Sequence, residues 1–268
     1  MLSVKNLSKS EILEIFQRAK HFETSENHHT ILKNKTMITM FYEPSTRTQV
    51  SFQKAMLELG GNVISLNASD SSVKKGESLQ DTINTLECFG DVIVLRTSEN
   101  LNDIKSKVPI VNAGDGSNEH PTQALLDLYT IWKNFGHFNI VVTFFGDLKY
   151  SRTVHSLVPL LKLFGASLYF VGTPELMVEN EVATKWENIA HCDVIYVTRP
   201  QVERWPSDLS RDFQYYQLPT TNNTLVLHPL PRGKELKEIP DSVWQQVQNG
   251  LYIRMAILER YLKKTSRF

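Results

Sequence analysis

The stretch that decides the fold runs from Thr36 to Gly61, "TMITMFYEPSTRTQVSFQKAMLELGG". Its opening, "TMITMFY", is short, rich in β-formers and bounded by polar residues, which predicts a buried strand. Phe52, Ala55, Met56 and Leu59 then recur at helical intervals, and Gly60-Gly61 stops the helix. The handover falls on Ser45-Thr46-Arg47-Thr48.

The same rhythm continues on both sides. Upstream, "SKSEILEIFQRAKHF" (Ser8 to Phe22) starts with Ser8 and Glu11 at capping-box spacing. Downstream come a strand "NVISL", a helix "SLQDTINTLECFG" and two strands, "DVIVLR" and "VPIVNAG". The helix "HPTQALLDLYTIWKNFG" follows, with Pro121 in its first turn, where proline is tolerated. The pattern restarts near Gly136-His137: strand "NIVVTFFGD", helix "RTVHSLVPLLKLFG", strands "SLYFVG", "DVIYVTR" and "NTLVLHPL", then a closing helix "GLYIRMAILERYLKK". Pro159 is expected to kink or weaken its helix. Alternating strands and helices predict an α/β protein. We expect two tandem α/β domains with mostly parallel sheets, joined by interdomain helices. The expected divisions are 1–133, with a closing helix over 250–268 packing back on it, and 134–249.

Bulk properties narrow the function classes. The 268 residues carry 29 Lys plus Arg and 29 Asp plus Glu, which argues against a nucleic-acid or membrane-surface binder. Cys88 and Cys192 form no CxxC pair, so neither a zinc site nor a disulfide framework is expected. A reducing, cytoplasmic setting is the expectation. The first residues lack the apolar stretch of a signal peptide, and no run reaches membrane-spanning length.

The handover itself carries chemistry. A helix N-terminus exposes N–H groups and partial positive charge, and oxyanions bind there. Hydroxyls on Ser45, Thr46 and Thr48 add donors, and Arg47 adds a planar fork suited to phosphate. A phosphate cradle is one reading; an ordinary serine or threonine cap beside a surface arginine is the other. No Walker motif occurs in the chain. "SSVKKGES" (Ser71 to Ser78) is a polar, basic, glycine-containing loop before a helix, and taken by itself it reads first as a solvated loop. "NEHPTQ" sets His120 and Gln123 at a helix start, where histidine often caps or packs. "GDLKYSRTVHS" repeats the strand, polar turn and helix device with Arg152. "VTRPQVER" puts Arg199, Gln201 and Arg204 beyond a buried strand, and "HPLPR" ends the last strand with His228 and Arg232. Arg47, Arg96, Arg152 and Arg199 all fall at predicted strand ends. Such ends are expected to converge on a cleft for a small, highly anionic ligand set.

Taken in order, "FYEPSTRTQVSFQKAMLELGG", "SSVKKGESLQDT", "VNAGDGSNEHPTQALLDLYTI", "GDLKYSRTVHSL", "DVIYVTRPQVER" and "LHPLPR" resemble the aspartate/ornithine carbamoyltransferase family, in its aspartate branch, over nearly the whole chain. The resemblance implies that family's fold. It implies carbamoyl transfer from carbamoyl phosphate to L-aspartate, an early step of pyrimidine synthesis. It assigns Ser45, Thr46, Arg47 and Thr48 to the phosphate, with Arg96 bridging to it. Thr48, Arg96 and His120 are assigned to the carbamoyl oxygen. Gln123 and the backbone carbonyls of Pro229 and Leu230 take the carbamoyl NH2. Arg152, Arg199 and Gln201 take the carboxylates of aspartate. Lys75, with Ser71 or Ser72, is implied to reach in from a neighbouring subunit of a homotrimer with shared sites, and Glu43 to pair with Arg152 and Arg204. No cofactor or metal is implied. Regulatory or dihydroorotase chains are partners the resemblance leaves room for; nucleic acid and membrane are not.

Departures from the family pattern are Thr97 after Arg96, Gln49 after "STRT", Pro200 within "TRPQ", and a short connection between "LYFVG" and "DVIYVTR". The last predicts that a helix and a strand are missing or merged there. Ornithine carbamoyltransferase is the alternative activity, disfavoured by "HPLPR" and "TRPQ". An inactive scaffold subunit is the alternative of another class.

Overall fold

The computed structural model describes residues 1–26, 28–67, 76–99, 101, 103–116, 118–207, 218 and 223–264. The chain divides into two compact units, Met1–Leu125 with Gln248–Phe268, and Leu126–Val247.

Unit 1 contains α1 (Lys9–Thr24), β1 (Thr36–Phe41), α2 (Thr46–Glu58), β2 (Asn62–Asn67), α3 (Leu79–Leu86), β3 (Val92–Thr97) and β4 (Ile110–Asp115). Ser8 and Glu11 form the reciprocal capping box at the start of α1. The four strands pair in the order β2-β1-β3-β4, all parallel. Every residue of β3 and β4 is buried, as in a parallel sheet covered on both faces. Ile38, Met40, Ile93 and Leu95 pack with Leu79, Ile83 and Leu86 of α3. Phe52, Ala55, Met56 and Leu59, the apolar face read from the sequence, are all fully buried. Gly60 then turns the chain at φ 79°.

Unit 2 contains β5 (Val141–Phe145), α5 (Arg152–Phe164), β6 (Ser167–Val171), β7 (Val194–Val197) and β8 (Leu225–Leu227). Its strands pair in the order β6-β5-β7-β8, again all parallel. The chain leaves unit 1 within α4 (Pro121–Phe135) and returns to it within α6 (Asp241–Lys264). Both unit divisions therefore fall inside helices, not in linkers.

Helix α5 continues through Pro159, carried by buried Leu157, Val158, Leu160 and Leu161. The closing helix begins at Asp241, not at residue 250. Asn249-Gly250 reads as a stop signal, but buried Val243, Gln246 and Asn249 hold the helix through it. Between β6 and β7, residues 172–193 form two single-turn 3-10 helices, Pro174–Leu176 and Trp186–Asn188, and an isolated parallel bridge from Ala183 to Phe170, with neither an α-helix nor a full strand. Among the described residues no helix is long and apolar enough to cross a membrane.

Candidate active site

In an open parallel sheet, ligands gather at the carboxyl ends of strands, where the strand order reverses. In unit 1 that point lies between β1 and β3, because β2 and β3 flank β1 on opposite sides. Ser45 to Thr48 lie in the turn after β1 and the first turn of α2. Arg96, near the end of β3, pairs in register with Phe41, the last residue of β1. The Arg96 carbonyl accepts the N–H of Tyr42 at 2.9 Å. The strand pairing therefore fixes Arg96 beside the path that leads into the STRT turn.

Ser45 occupies the N-cap position of α2 but makes no side-chain cap, unlike Ser8 of α1 and Ser78 of α3. That disfavours the ordinary-cap reading of the sequence: the hydroxyl is not spent on its own helix. Thr48 is buried, while Arg47 is exposed. The Arg96 guanidinium is buried, with Nη2 3.2 Å from Glu43 Oε2 and Nη1 donating to the Ala113 carbonyl at 3.4 Å. Glu43 thus meets an arginine of its own unit.

His120 follows β4. An antiparallel bridge between Asp115 and Glu119 closes the turn, and the Glu119 N–H donates to Asp115 Oδ1 at 2.6 Å. Burial pushes the Asp115 carboxyl above its ordinary value. His120 is buried, and its carbonyl accepts the N–H of Gln123 at 3.0 Å, so both sit on the opening turn of α4. The ends of β1, β3 and β4, adjacent strands, carry all the unit 1 candidates that are described. Ser71, Ser72 and Lys75 lie outside the described residues.

Unit 2 repeats the arrangement. Its reversal point lies between β5 and β7. Arg152 opens α5 after β5, and Ser151 at the N-cap again makes no side-chain cap. Arg199 and Gln201 follow β7. Asp147, fully buried in the turn after β5, ties the two loops together. Its Oδ2 accepts the Gln201 N–H at 2.9 Å and the Trp205 Nε1–H at 2.7 Å, and its Oδ1 accepts the Tyr150 N–H at 3.0 Å. Thr198 Oγ1 donates to the Asp147 carbonyl at 3.0 Å. Arg199 forms a bidentate pair with Glu203 one turn on, and Arg204 Nη1 donates to the Tyr150 carbonyl at 3.2 Å. Pro229 and Leu230 follow β8, the strand next to β7. A Cβ built on Gly233 would lie 3.8 Å from Arg199 Cγ, so this turn abuts Arg199.

Sequence reasoning missed Asp147 as an organiser. An aspartate directly after a strand-ending glycine was the available signal, since such residues often bond the backbone of the following turn. It also missed the buried partners of His228. Among the described residues no group of three or more His, Cys, Asp or Glu side chains is placed to hold a metal ion.

Two family models match the chain. The aspartate/ornithine carbamoyltransferase carbamoyl-P binding domain matches residues 1–133, and the Asp/Orn binding domain of the same enzymes matches residues 139–261. The chain belongs to the aspartate/ornithine carbamoyltransferase family.

Within that family it is 41% identical to the aspartate carbamoyltransferase catalytic subunit of Methanocaldococcus jannaschii, covering 98% of this chain and 97% of that one. It is 40% identical to multifunctional protein ura1 of Schizosaccharomyces pombe, but spans only 13% of that protein's length. The crystallised M. jannaschii aspartate transcarbamoylase catalytic subunit superposes with a TM-score of 0.88 at 38% identity, covering 100% of this chain and 99% of the other. Aspartate transcarbamoylase of Trypanosoma cruzi, solved in complex with carbamoyl phosphate and aspartate, gives a TM-score of 0.83 at 31% identity over 97% of this chain and 95% of its own. The M. jannaschii sequence alignment runs over 298 positions against a chain of 268, so this family member is compact. The helix-free and strand-free connection between β6 and β7 agrees with that economy.

Proposed function

We propose that this chain transfers the carbamoyl group of carbamoyl phosphate to the amino group of L-aspartate, giving N-carbamoyl-L-aspartate and phosphate, as in pyrimidine synthesis. The observation that carries this reading is the pair of arginine-bearing helix starts. Both α2 and α5 follow a central strand at a strand-order reversal, and both leave their N-cap serine unused as a cap. The aspartate carbamoyltransferase relatives favour aspartate over ornithine as the acceptor.

In this reading residues 1–133 with the end of α6 form the carbamoyl-phosphate domain, and residues 134–249 the aspartate domain. Ser45, Thr46, Arg47 and Thr48 hold the phosphate, with Arg96. Thr48, Arg96 and His120 donate to the carbamoyl oxygen, and Gln123 with the carbonyls of Pro229 and Leu230 accepts from its NH2. Arg152, Arg199 and Gln201, with Lys75, bind the carboxylates of aspartate. The neutral aspartate amine attacks the carbamoyl carbon, a C–N bond forms, the C–O bond to phosphate breaks, and the departing phosphate takes the proton. Preorganised donors at the carbonyl oxygen and the leaving phosphate each supply roughly 3–4 kcal/mol. Holding the two reactants in line supplies up to roughly 7–11 kcal/mol more. The chain works as a cytoplasmic homotrimer, in which Lys75 and a neighbouring serine serve the adjacent subunit.

The test is a product assay. Purified protein with carbamoyl phosphate is offered L-aspartate or L-ornithine, and the carbamoylated amino acid is measured. N-carbamoyl-L-aspartate is the expected product. Citrulline alone, or no product with either acceptor, refutes the reading.

A further inference from the structure

The turn after β8, "HPLPRGKE" (His228 to Glu235), is held by a polar network with no role so far. His228 and Glu235 are both buried, and their side chains have no exposed surface. His228 Nε2 lies 2.8 Å from Glu235 Oε1, and the Leu230 N–H donates to His228 Nδ1 at 2.9 Å. A backbone N–H can only donate, so Nδ1 is an unprotonated acceptor and the ring proton sits on Nε2, facing the carboxylate. Glu235 Oε1 also accepts the Gly233 N–H at 2.7 Å. Burial pushes the Glu235 carboxyl up, but the bonds from His228 and Gly233 outweigh it and hold the group below its ordinary value.

Prolines at 229 and 231 leave the segment 228–231 with only two backbone N–H groups. Leu230 gives one to His228 Nδ1. His228 gives the other to Gln246 Oε1 of α6 at 3.0 Å. Gln246 Nε2 in turn donates to buried Asp127 of α4 at 2.5 Å, and Asp127 Oδ2 accepts from Tyr196 of β7 at 2.7 Å. The turn is therefore anchored on Gln246, which is itself held by Asp127 and, through it, by Tyr196. Leu230 sits at φ 48°, in the left-handed region that a branched side chain rarely occupies. Such a residue persists where its surroundings over-determine it. Burying an ionised carboxylate such as that of Glu235 costs desolvation that its hydrogen bonds only offset, so its retention points to position more than to strength.

We propose that His228, locked by Glu235, is a positioning residue that sets the Leu230 backbone for recognition of the carbamoyl NH2 group. The proposal rests on the reading above, in which the Pro229 and Leu230 carbonyls accept from that group. His228 does not touch substrate; it acts through the peptide it holds.

Acetyl phosphate provides the discriminating probe, because it keeps the phosphate and the carbonyl and replaces NH2 with CH3. The measured quantity is the KM of carbamoyl phosphate against the competitive inhibition constant of acetyl phosphate. His228→Phe keeps a planar aromatic ring but removes both ring hydrogen bonds, and should cut the preference for carbamoyl phosphate about tenfold, the scale of one displaced hydrogen bond. His228→Asn places Oδ1 where Nδ1 stood and should restore most of it. Glu235→Gln keeps a hydrogen-bonding side chain of equal size at residue 235, and covers the case in which His228→Phe does not fold; it should lower the preference about threefold. A merely structural role would weaken both ligands together. An unchanged ratio in His228→Phe and Glu235→Gln, or an Asn variant no better than Phe, overturns the proposal. Absence of carbamoyl transfer by the wild-type chain overturns the underlying reading instead, and the proposal with it.

Discussion

Replacing Tyr196 with Phe removes one oxygen atom from a fully buried ring on the central strand β7. That hydroxyl donates to Asp127 Oδ2 at 2.7 Å, and Asp127 itself has no exposed surface. The other carboxylate oxygen accepts from Gln246 at 2.5 Å. Burial, then the neighbouring Asp127 charge, push the Tyr196 pKa well above its ordinary value, which favours the protonated, donating hydroxyl. The bond is charge-assisted and shielded from water, which sets its worth at about 1.5–3 kcal/mol. For a chain of this length that lowers Tm by about 3–12 °C. Differential scanning fluorimetry and urea denaturation measure it directly. A double-mutant cycle with Asp127→Asn assigns the loss to this pair if the coupling exceeds about 1 kcal/mol. A Tyr196→Phe variant within about 0.5 kcal/mol of wild type, with no coupling, refutes the argument.

Three further outcomes are expected. Arg199→Ala should raise the KM for aspartate about 10–100-fold, the worth of a charge-assisted bond, with that for carbamoyl phosphate within about twofold; unchanged aspartate saturation shows that Arg199 does not bind the carboxylate. Gly60→Ala should destabilise by about 2 kcal/mol or more, because Gly60 sits at φ 79° and an added Cβ would lie 1.8 Å from the His29 carbonyl oxygen; equal denaturation midpoints for the two chains count against it. The carboxyls of Glu235 and Glu259 are held below their ordinary 4.5: in each, burial opposes the shift and hydrogen bonds, from His228 and Gly233 or from Arg18 and Lys263, overcome it. The unfolded chain therefore takes up protons first as pH falls. Stability should be level above about pH 5.5, decline as pH falls from the ordinary value through the depressed folded values, and level off once both states are protonated. Urea midpoints that stay constant down to about pH 3 contradict this, and Glu259→Gln should flatten the decline.

The sequence by itself determined the alternation of strands and helices, the apolar face of α2, the turn carrying Ser45 to Thr48, and the arginines at the ends of β1, β3, β5 and β7. Each is a local property: a periodicity of two or 3.6 residues, or a turn signal next to it. The family resemblance was legible for the same reason, since its motifs are contiguous. Tertiary structure alone decided that Ser45 and Ser151 leave their helices uncapped, although Ser8 and Ser78 look no different as residue types. It also decided that α6 runs through Asn249-Gly250, where buried neighbours outweigh a local stop signal. Asp127 meets Tyr196 across 69 positions and Gln246 across 119, and Asp147 meets Trp205 across 58. A buried carboxylate must find its donors wherever the packed layers bring them. No pattern along the chain specifies those pairings, because the elements that supply them become neighbours only when the parallel sheets form.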